Sequence, residues 1–411
     1  MSMNLNADQM PWMQTAEVLA LFAALPAGSL RFVGGCVRNA IWNEPVGDID
    51  LACQLDPEAV TSALDTAKIR YVPTGIEHGT VTAVIDGTPY EITSLRRDVE
   101  TDGRRATVAY TTDWAEDAQR RDLTINALYA DLSGRVFDPT GLGLEDMQSR
   151  KFRFVGQADD RVREDYLRIL RFFRFLAWYG GQEKVDAASL KACREHQSGI
   201  KTLSVERIWM EMKKLLSAPN PVRACHIMLT NGILETVFPE ANNVDGLEAL
   251  VKLETPEGIA PDPLLRIMAM SAREPLQMAL LAKRLKMSKL ETSRLRGWAD
   301  DDAQLSTDMA ERDKLAAIYK SGKSVIYDRT RLRAAGETDP IQSARWMALA
   351  ALATEWEVPI FPLTGRDLTD VGVPTGPAMG KALKALEALW VRSGFSTEKP
   401  QLLAALKFMG Y

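Results

Sequence analysis

The chain has 411 residues, of which 46% are hydrophobic and 26% are charged. This length exceeds what one hydrophobic core supports, and it predicts roughly two to four globular domains. The formal net charge of -5 argues against a protein that coats nucleic acid indiscriminately. Any contact with phosphate must therefore come from local basic patches.

Cysteine and histidine usage, together with the first residues, bears on the compartment. The four cysteines are far apart and form no CxxC pair, which favours a reducing environment over a disulfide framework. The three histidines show no metal-ligand spacing, which argues against structural zinc. No Lys or Arg precedes Arg31, so no signal peptide is predicted, and the apolar run 18–25 is too short to span a bilayer. We expect a cytoplasmic protein.

Strand and helix signals alternate over the first third of the chain, and helical periodicities take over after about residue 151. The predicted early elements are a strand at 30–33, a turn at Gly34-Gly35, a short helix at 36–42, a second strand at 48–53 and a hairpin at 80–95. The pattern predicts an α+β protein, in which a compact α/β head precedes an extended helical remainder.

The stretch GDIDL contains two aspartates spaced two residues apart, Asp48 and Asp50. On a strand both side chains would project from the same face, about 7 Å apart, and would repel each other unless a cation or solvent lay between them. Glu91, on a strand of the predicted hairpin, could supply the third carboxylate that a two-metal site needs. Solvent-facing edge strands would show the same residues.

Two further stretches could meet a nucleotide. After a strand, Gly34-Gly35 and a helix start would direct backbone N–H groups towards a triphosphate, with Arg38 one helical turn away. In RRDLTINAL, Arg121 can meet a phosphate, and Asp122 and Asn126 at i+4 on one helix face could bind a ribose. An ordinary turn and a helix capped by Asp122 would look similar.

The stretch REDYLRILRFFRF (163–175) predicts a helix with a narrow row of charges in apolar surroundings. An aspartate accepts a hydrogen bond from the amino group of cytosine or adenine, and an arginine donates to the neighbouring ring atom. One Asp/Arg pair could therefore accept C and A while rejecting U and G. The alternative is an ion pair between Asp165 and Arg168 on a solvated helix.

In this order, GGCVR, GDIDL, EITSLR, RRDLTINAL and EDYLRILRFFRF resemble the class II CCA-adding enzymes. These tRNA nucleotidyltransferases share their head with bacterial poly(A) polymerases. Further similarity in SVERIWMEMKKLL, NGILETVFPE and residues 362–390 extends the resemblance over most of the chain. It implies a nucleotidyltransferase-type head with a mixed sheet, followed by an elongated all-α neck, body and tail. The implied segments are an N-terminal helical segment 1–28, a catalytic head 29–148, a neck 149–218 that recognises the base, and an RNA-binding body 219–300 and tail 301–411.

The resemblance also implies roles for individual residues. Asp48 and Asp50 would hold Mg²⁺, with Glu91 as the third catalytic carboxylate. The nucleotide would be bound by Gly35, Arg38, Arg121, Asp122, Asn126, Asp165, Arg168, Arg171 and Arg174. One residue departs from the pattern: the family usually has an aspartate where this chain has Asn39, so an interaction near the helix start is expected to differ.

The implied reaction adds C, C and A to the 3' end of tRNA from CTP and ATP and releases pyrophosphate. The partner would be tRNA, contacted at its 3' end, acceptor stem and elbow. A poly(A) polymerase of the same family is the close alternative, and an inactive RNA-binding relative is an alternative of another class. The stretch RRDVETDGRR (96–105) matches the flexible loop that CC-adding relatives lack, so it favours full CCA addition; a plain hairpin connection would look the same.

A basic cluster lies in the helical remainder, in KRLKMSKLETSRLR (283–296), which has six basic residues and one acid. On an acidic chain such a cluster could bind tRNA phosphates, although a solvated helix face has the same composition. The residues predicted to bind RNA are Lys283, Arg284 and Lys286.

Overall fold

The computed structural model describes residues 3–73, 75, 79–102, 105–181, 185–406 and 408. The chain divides into two compact units, Met1–Val237 and Phe238–Tyr411. The finer division into five segments stays a prediction. Among the described residues, no helix combines the length and apolarity needed to cross a membrane.

The first unit is built on a mixed sheet. The described strands are β1 (Met3–Asn4), β2 (Leu30–Val33), β3 (Asp50–Cys53), β4 (Arg70–Val72), β5 (Thr80–Ile85), β6 (Thr88–Ser94), β7 (Arg96–Asp102), β8 (Arg105–Tyr110), β9 (Tyr129–Ala130) and β10 (Arg135–Phe137). Eight of them form a sheet in the order β1-β10-β9-β2-β3-β6-β5-β4. The β3–β6 pair is parallel, and the other described pairs are antiparallel. Strands β7 and β8 pair separately as a hairpin.

Helices complete the first unit and make up almost all described secondary structure of the second. The first contains α1 (Ala16–Ala24), α2 (Gly35–Trp42), α3 (Pro57–Thr66), α4 (Trp114–Gln119), α5 (Gly143–Gln148), α6 (Ala158–Glu164), α7 (Leu167–Tyr179), α8 (Ala187–His196), α9 (Val205–Leu216), α10 (Val222–Thr230) and α11 (Ile233–Val237). The second contains α12 (Val244–Glu257), α13 (Pro263–Met270), α14 (Pro275–Arg284), α15 (Lys289–Asp300), α16 (Glu311–Ser321), α17 (Lys323–Ala335), α18 (Pro340–Glu355), α19 (Gly365–Asp370), α20 (Pro377–Arg392) and α21 (Lys399–Leu406). The predicted α+β fold with a mixed sheet is confirmed.

Two turns predicted from the sequence explain how the head sheet forms. Gly34 has a φ of +72°, a left-handed conformation that lets β2 turn directly into α2. Asp86 and Gly87, with φ of +49° and +82°, occupy the two positions of the β5–β6 turn that need positive φ. The predicted strand at 30–33 and the predicted hairpin are confirmed.

Two predictions of regular structure near the site are wrong. The strand predicted over 48–53 begins at Asp50, so Asp48 lies in a bend just before it. The segment from Asp122 to Asn126 is not an α-helix. It contains a single 3-10 turn, Thr124–Asn126, and Asp122 precedes that turn. Asp48 and Asp50 are consequently not on one strand face, and Asp122 contacts Asn126 across a tighter turn.

The helix predicted over 163–175 is also wrong, because it is broken at Asp165. Helix α6 ends at Glu164, and Asp165 is extended with φ of -152° and ψ of 107°. One Asp165 carboxylate oxygen accepts a hydrogen bond from the Leu167 backbone N–H at 3.0 Å, at the start of α7. Aspartate is favoured at helix starts because it satisfies such free N–H groups, and this preference overrides the continuous apolar pattern.

The segment 96–105, predicted as a loop, contributes to both strands of the β7–β8 hairpin. The two strands pair with a register shift between Asp98 and Glu100. Gly103 and Arg104 lie outside the described residues. The segment is therefore a paired ribbon over its described backbone.

Candidate active site

Three predicted carboxylates lie close together where β3 begins beside β6, two neighbouring strands inside the sheet. Asp50 pairs directly with Glu91 across the parallel strands, which lie about 4.8 Å apart. The pKa of Asp50 is raised, first by desolvation and next by the Glu91 carboxylate, with Asp48 adding to the effect and Arg121 opposing it. Asp48, Asp50 and Glu91 are all exposed, and within the described part of the chain none forms an ion pair. Among the described residues, Arg121 acts on Asp50 electrostatically without forming an ion pair with it.

A cavity of about 430 Å³ opens beside this cluster, within the first unit. Asp50 lines the cavity, as do both glycines of the β2–α2 turn. A Cβ atom built on Gly34 would lie 3.7 Å from Nη1 of Arg121, and one on Gly35 would lie 3.8 Å from Nη2 of Arg38. Two guanidinium groups thus flank the turn. The other lining residues are Asp122, Asn126, Arg171, Arg174, Phe175, Trp178, Tyr179 and Lys214.

Arg121 is held by a buried carboxylate on α4. Asp117, 1% exposed, accepts a 3.0 Å hydrogen bond from Nη2 of Arg121 and one of 2.6 Å from the Tyr129 hydroxyl. Arg120 donates to the other Asp117 oxygen at 2.8 Å. Burial alone would raise the pKa of Asp117, but the two arginines and the tyrosine hold it below its usual value. Asp117 therefore fixes the orientation of Arg121.

Asp122 plays the same part for an arginine of α7. Its Oδ2 accepts hydrogen bonds from Nε and Nη2 of Arg171 at 2.8 and 2.5 Å, and its Oδ1 accepts from Nδ2 of Asn126 at 3.1 Å. Burial opposes ionisation here too, yet Arg171 and Asn126 hold the pKa of Asp122 far below the ordinary range. One turn along α7, Arg174 pairs with Glu211 of α9 at 2.8 Å. Each of these arginines is anchored by its own acid.

Asp165 and Arg168 do not line the cavity, and they do not pair with each other. Asp165 Oδ2 accepts from Nη2 of Arg207 at 2.8 Å. Arg168 Nη1 donates to Glu164 at 2.6 Å, and its Nη2 donates to the Arg120 carbonyl at 3.2 Å. The surface ion pair that was the alternative for these residues is therefore not formed, because each has a different acid or base as its neighbour.

Several residues at the cavity were not found by sequence reasoning. Phe175, Trp178 and Tyr179 form an aromatic wall at the C-terminal end of α7, and Lys214 reaches the cavity from α9. Asp117 could have been found from a local pattern, because it lies on α4 and precedes Arg121 by four residues. Phe175 precedes Trp178 and Tyr179 by three and four residues, a spacing that a buried helix face shows equally well.

The predicted RNA-binding residues lie in the second unit. Lys283 and Arg284 are at the end of α14, and Lys286 follows with a φ of +46°. Lys283 and Lys286 are exposed, whereas the Arg284 guanidinium pairs with Glu240 at 2.5 Å. Two of the three side chains are thus presented to solvent, and the third stabilises the unit internally.

Comparison with known proteins gives a consistent result. Residues 30–153 match the family "Poly A polymerase head domain", and residues 184–244 match "Probable RNA and SrmB- binding site of polymerase A". The CCA tRNA nucleotidyltransferase 1, mitochondrial, of Mus musculus is 34% identical over 388 residues, which cover 92% of this chain and 86% of the mouse protein. The CCA-adding enzyme of Streptococcus sanguinis is 34% identical over 381 residues, or 90% and 92% of the two chains.

Solved structures agree with these relatives. The Bacillus stearothermophilus CCA-adding enzyme, crystallised with CTP, has a TM-score of 0.68 and 27% identity over 93% of each chain. The Thermotoga maritima CCA-adding enzyme, complexed with tRNA, shares the fold at a TM-score of 0.68 and 16% identity. The mixed sheet with its glycine turn and carboxylate cluster defines an enzyme of the nucleotidyltransferase class. The identity over most of both chains shows that this chain belongs to the CCA-adding enzymes, the family of tRNA nucleotidyltransferases. Enzymes of this family use divalent metal ions.

Proposed function

We propose that this chain adds C, C and A to the 3' end of tRNA, with CTP and ATP as substrates and pyrophosphate as the leaving group. Family membership supports the reaction, and relatives solved with CTP, ATP or tRNA support the choice of substrates. The observation that carries the proposal is the juxtaposition of an unpaired carboxylate cluster with a cavity lined by arginines. This arrangement suits transfer of a nucleotide to a hydroxyl group.

Asp48, Asp50 and Glu91 are the proposed metal ligands, and Mg²⁺ is the proposed ion. The three side chains offer only oxygen atoms, which hard divalent cations prefer. The pKa of Asp50 is raised first by desolvation and next by the neighbouring Glu91 carboxylate. When bound, two such ions would activate the RNA 3'-hydroxyl and stabilise the charge of the departing pyrophosphate. Among the described residues, none of the three carboxylates forms an ion pair with an arginine, so all three are available to a metal ion.

The arginines of the cavity are proposed to bind the triphosphate. Gly35 would add a backbone N–H at the start of α2, where the helix dipole favours an anion. The cations proposed to contact the phosphates are Arg38, Arg121, Arg171 and Arg174. Their guanidinium groups are held by neighbouring side chains before the ligand arrives, so little ordering is needed on binding.

Asp122 and Asn126 are proposed to contact the ribose, and Asp165 and Arg168 the base. An ionised carboxylate accepts up to about four hydrogen bonds. The Asp165 oxygens use one each for the Leu167 N–H and for Arg207, so the carboxylate keeps capacity for the amino group of cytosine or adenine. Arg207 would hold the carboxylate in the orientation that reads this group.

The proposal is tested by nucleotide incorporation. Purified protein is incubated with tRNA ending at the discriminator base and with radiolabelled CTP, ATP or both. We expect two additions with CTP alone, no long product with ATP alone, and three additions with both. A long adenosine tail would instead support poly(A) polymerase. Tight tRNA binding without incorporation under any condition would support a non-catalytic RNA-binding protein.

We also propose a cytoplasmic location. The side chains of all four cysteines, Cys36, Cys53, Cys193 and Cys225, are buried, and their wide spacing in the sequence favours a reducing compartment. The relatives include mitochondrial and bacterial enzymes, so cell fractionation with antibodies to the chain is the deciding measurement.

A further inference from the structure

Arg31 is a cation that is held between two aromatic rings. It lies on β2, and its guanidinium carbon is 4.1 Å from the ring centre of Trp114 and 3.7 Å from that of Phe137. A cation within about 6 Å of a ring centre is attracted by the ring. The Asp131 carboxylate acts on Arg31 electrostatically, but among the described residues Arg31 forms no ion pair. The described contacts of its guanidinium are therefore with the two rings.

Trp114 connects Arg31 to a second aromatic residue, Tyr129. The rings of Trp114 and Tyr129 meet edge to face, with centres 5.2 Å apart and planes inclined at 73°. Tyr129 is fully buried, and its hydroxyl accepts a 3.1 Å hydrogen bond from Nε of Arg121 and donates one of 2.6 Å to Asp117. The Arg121 guanidinium also lies 5.3 Å from the Tyr129 ring centre. Tyr129 and Asp117 thus hold Arg121 together.

The contact between Arg31 and Trp114 joins two elements that flank the cavity. Arg31 lies on β2, three residues before the turn at Gly34. Trp114 is the first residue of α4, the helix that carries Asp117. A Cβ atom built on Gly34 would lie 3.7 Å from Nη1 of Arg121, so the turn and this guanidinium are close neighbours. Their spacing depends on how firmly β2 and α4 are held together.

Arg135 provides a comparison at the outer end of the same stack. Its guanidinium carbon is 5.0 Å from the ring centre of Phe137, and the residue is exposed. Among the described ring contacts of Arg135, none involves Trp114 or Tyr129. Two arginines therefore stack on Phe137, but only Arg31 is connected through Trp114 to the cavity.

A guanidinium suits the position between two rings. It is planar and weakly hydrated and stacks on aromatic faces, whereas the ammonium group of lysine is a compact and strongly hydrated charge. A planar cation can contact both rings at once, and this contact limits the movement of Trp114. An apolar side chain of similar length fills the space but lacks the attraction to the rings.

We propose that Arg31 is a positioning residue that acts through Trp114 and keeps Arg121 at a fixed distance from the glycine turn. Arg31 itself does not line the cavity. The inference rests on the proposed function, in which Arg121 and the turn at Gly34 bind the phosphates of the incoming nucleotide. Binding groups that are already in place need little ordering when the ligand arrives, so loss of this contact should weaken nucleotide binding.

The test uses Arg31→Met, Trp114→Leu, the double variant and a matched control, Arg135→Met. We expect Arg31→Met to raise the KM for CTP and for ATP about fivefold, and to change kcat less than about twofold. The dissociation constant of CTP, measured by calorimetry without RNA, should rise by the same factor. The double variant should bind CTP no more weakly than Trp114→Leu alone, because both substitutions break one connection. Arg135→Met should leave all these values unchanged.

A purely structural role for Arg31 would lower the folded fraction, and hence kcat, while KM stayed constant; that result would overturn the proposal. Multiplied effects in the double variant, or an equal rise in KM in Arg135→Met, would overturn it as well. Melting temperatures show whether each variant has folded.

Arg31→Lys is the second variant if Arg31→Met does not fold, because it keeps the charge and loses the planar group. It should weaken CTP binding about threefold, and unchanged binding would contradict the role of stacking. CTP binding is measured without turnover. A wild-type protein that binds CTP and does not extend tRNA would therefore refute the proposed function, and the variants would still decide this inference.

Discussion

The first unit contains two sets of carboxylates that differ in their exposure, in their partners and in the direction of their pKa shifts. Asp48, Asp50 and Glu91 are exposed and have no described cationic partner in an ion pair. A second set is buried, and each member holds an arginine that lines the cavity; this set is Asp117, Asp122 and Glu211. The pKa of Asp50 is raised, whereas those of Asp117 and Asp122 are lowered.

The difference shows how one residue type serves two purposes in one site. A carboxylate that is already paired with an arginine is electrically satisfied, so its contribution is geometric. A carboxylate left beside other carboxylates is unsatisfied until a cation arrives, so its contribution is ligand binding. A similar contrast separates Arg38 from Arg121, Arg171 and Arg174, because the described hydrogen bonds of its guanidinium go to Asn39, Asn126 and Tyr179.

The largest effect is expected from breaking the unpaired set. Asp50→Asn and Asp50→Ala should each lower incorporation of both CMP and AMP by about a thousandfold, because the ions that both additions need are lost, at a cost of several kcal/mol in the transition state. Asp48→Ala should behave alike. RNA binding, measured by filter retention, should persist. Near-normal incorporation at saturating Mg²⁺ would remove these residues from the metal site.

The next largest effect is expected from substitution of Asp165, which belongs to neither set. This substitution tests whether the Asp165 carboxylate recognises the base. Asp165→Ala should reduce the preference for CTP and ATP over UTP and GTP about ten- to a hundredfold, since one hydrogen bond to a charged group is lost. Arg168→Ala should weaken all four nucleotides. The measurement is kcat/KM for each nucleotide.

The matched control is Asp160→Ala, because Asp160 pairs with Arg163 on the exposed side of α6. It should leave all four values unchanged. If Asp165→Ala lowers stability and keeps the preference for C and A, Asp165 is a structural residue and the base is read elsewhere.

A smaller effect is expected from substitution in the paired set, and the quantity that should fall is the free energy of unfolding. The folded pKa of Asp122 is depressed, so its stabilising contribution is present above the unfolded value near 3.8 and is lost as the pH falls through the folded value. Asp122→Asn should lower the free energy of unfolding at pH 7 by about 1 to 2 kcal/mol, a low figure for a buried pair because Arg171 is one-third exposed. Urea titrations between pH 2 and 7 should show the difference from wild type shrinking in acid. A constant difference over that range would contradict the pairing.

The smallest effect is expected from substitution of exposed lysines in the second unit. Lys283→Ala with Lys286→Ala should raise the KM for tRNA severalfold and reduce the slope of log binding against log salt by about 1.5, as expected for two lost phosphate contacts. Arg284 is left unchanged because it supports Glu240. Lys252→Ala, an exposed lysine on α12, is the control. An unchanged salt slope would place the RNA contact on other residues.

The sequence predicted the strands and turns that are determined by residues close together in the chain. The strand before Gly34 and the hairpin around Asp86-Gly87 were found because turn residues and alternating patterns lie within a few positions of each other. The break at Asp165 was missed because an uninterrupted apolar pattern on both sides outweighed the helix-start preference of one aspartate.

Side-chain partners that lie far apart in the sequence produce no local pattern from which they could be predicted. Arg38 meets Tyr179, which lies 141 residues further along, and Arg174 meets Glu211 across 37 residues. Sequence reasoning proposed the arginines from their residue type and motif, but the acids and amides that balance or spare their charges are brought close only by folding. The distinction between paired and unpaired groups therefore required the structure.

The arginine row of α7 has a consequence for how this helix can change over time. Successive members are three residues apart, so each is turned about 60° from the one before it. They reach different partners: Arg168 meets Glu164, Arg171 meets Asp122, and Arg174 meets Glu211. A single inserted residue would rotate one end of the row by about 100° against the other and break at least one pair, whereas a substitution between the arginines preserves their phase. Evolutionary drift in this helix should therefore proceed by replacement at constant length.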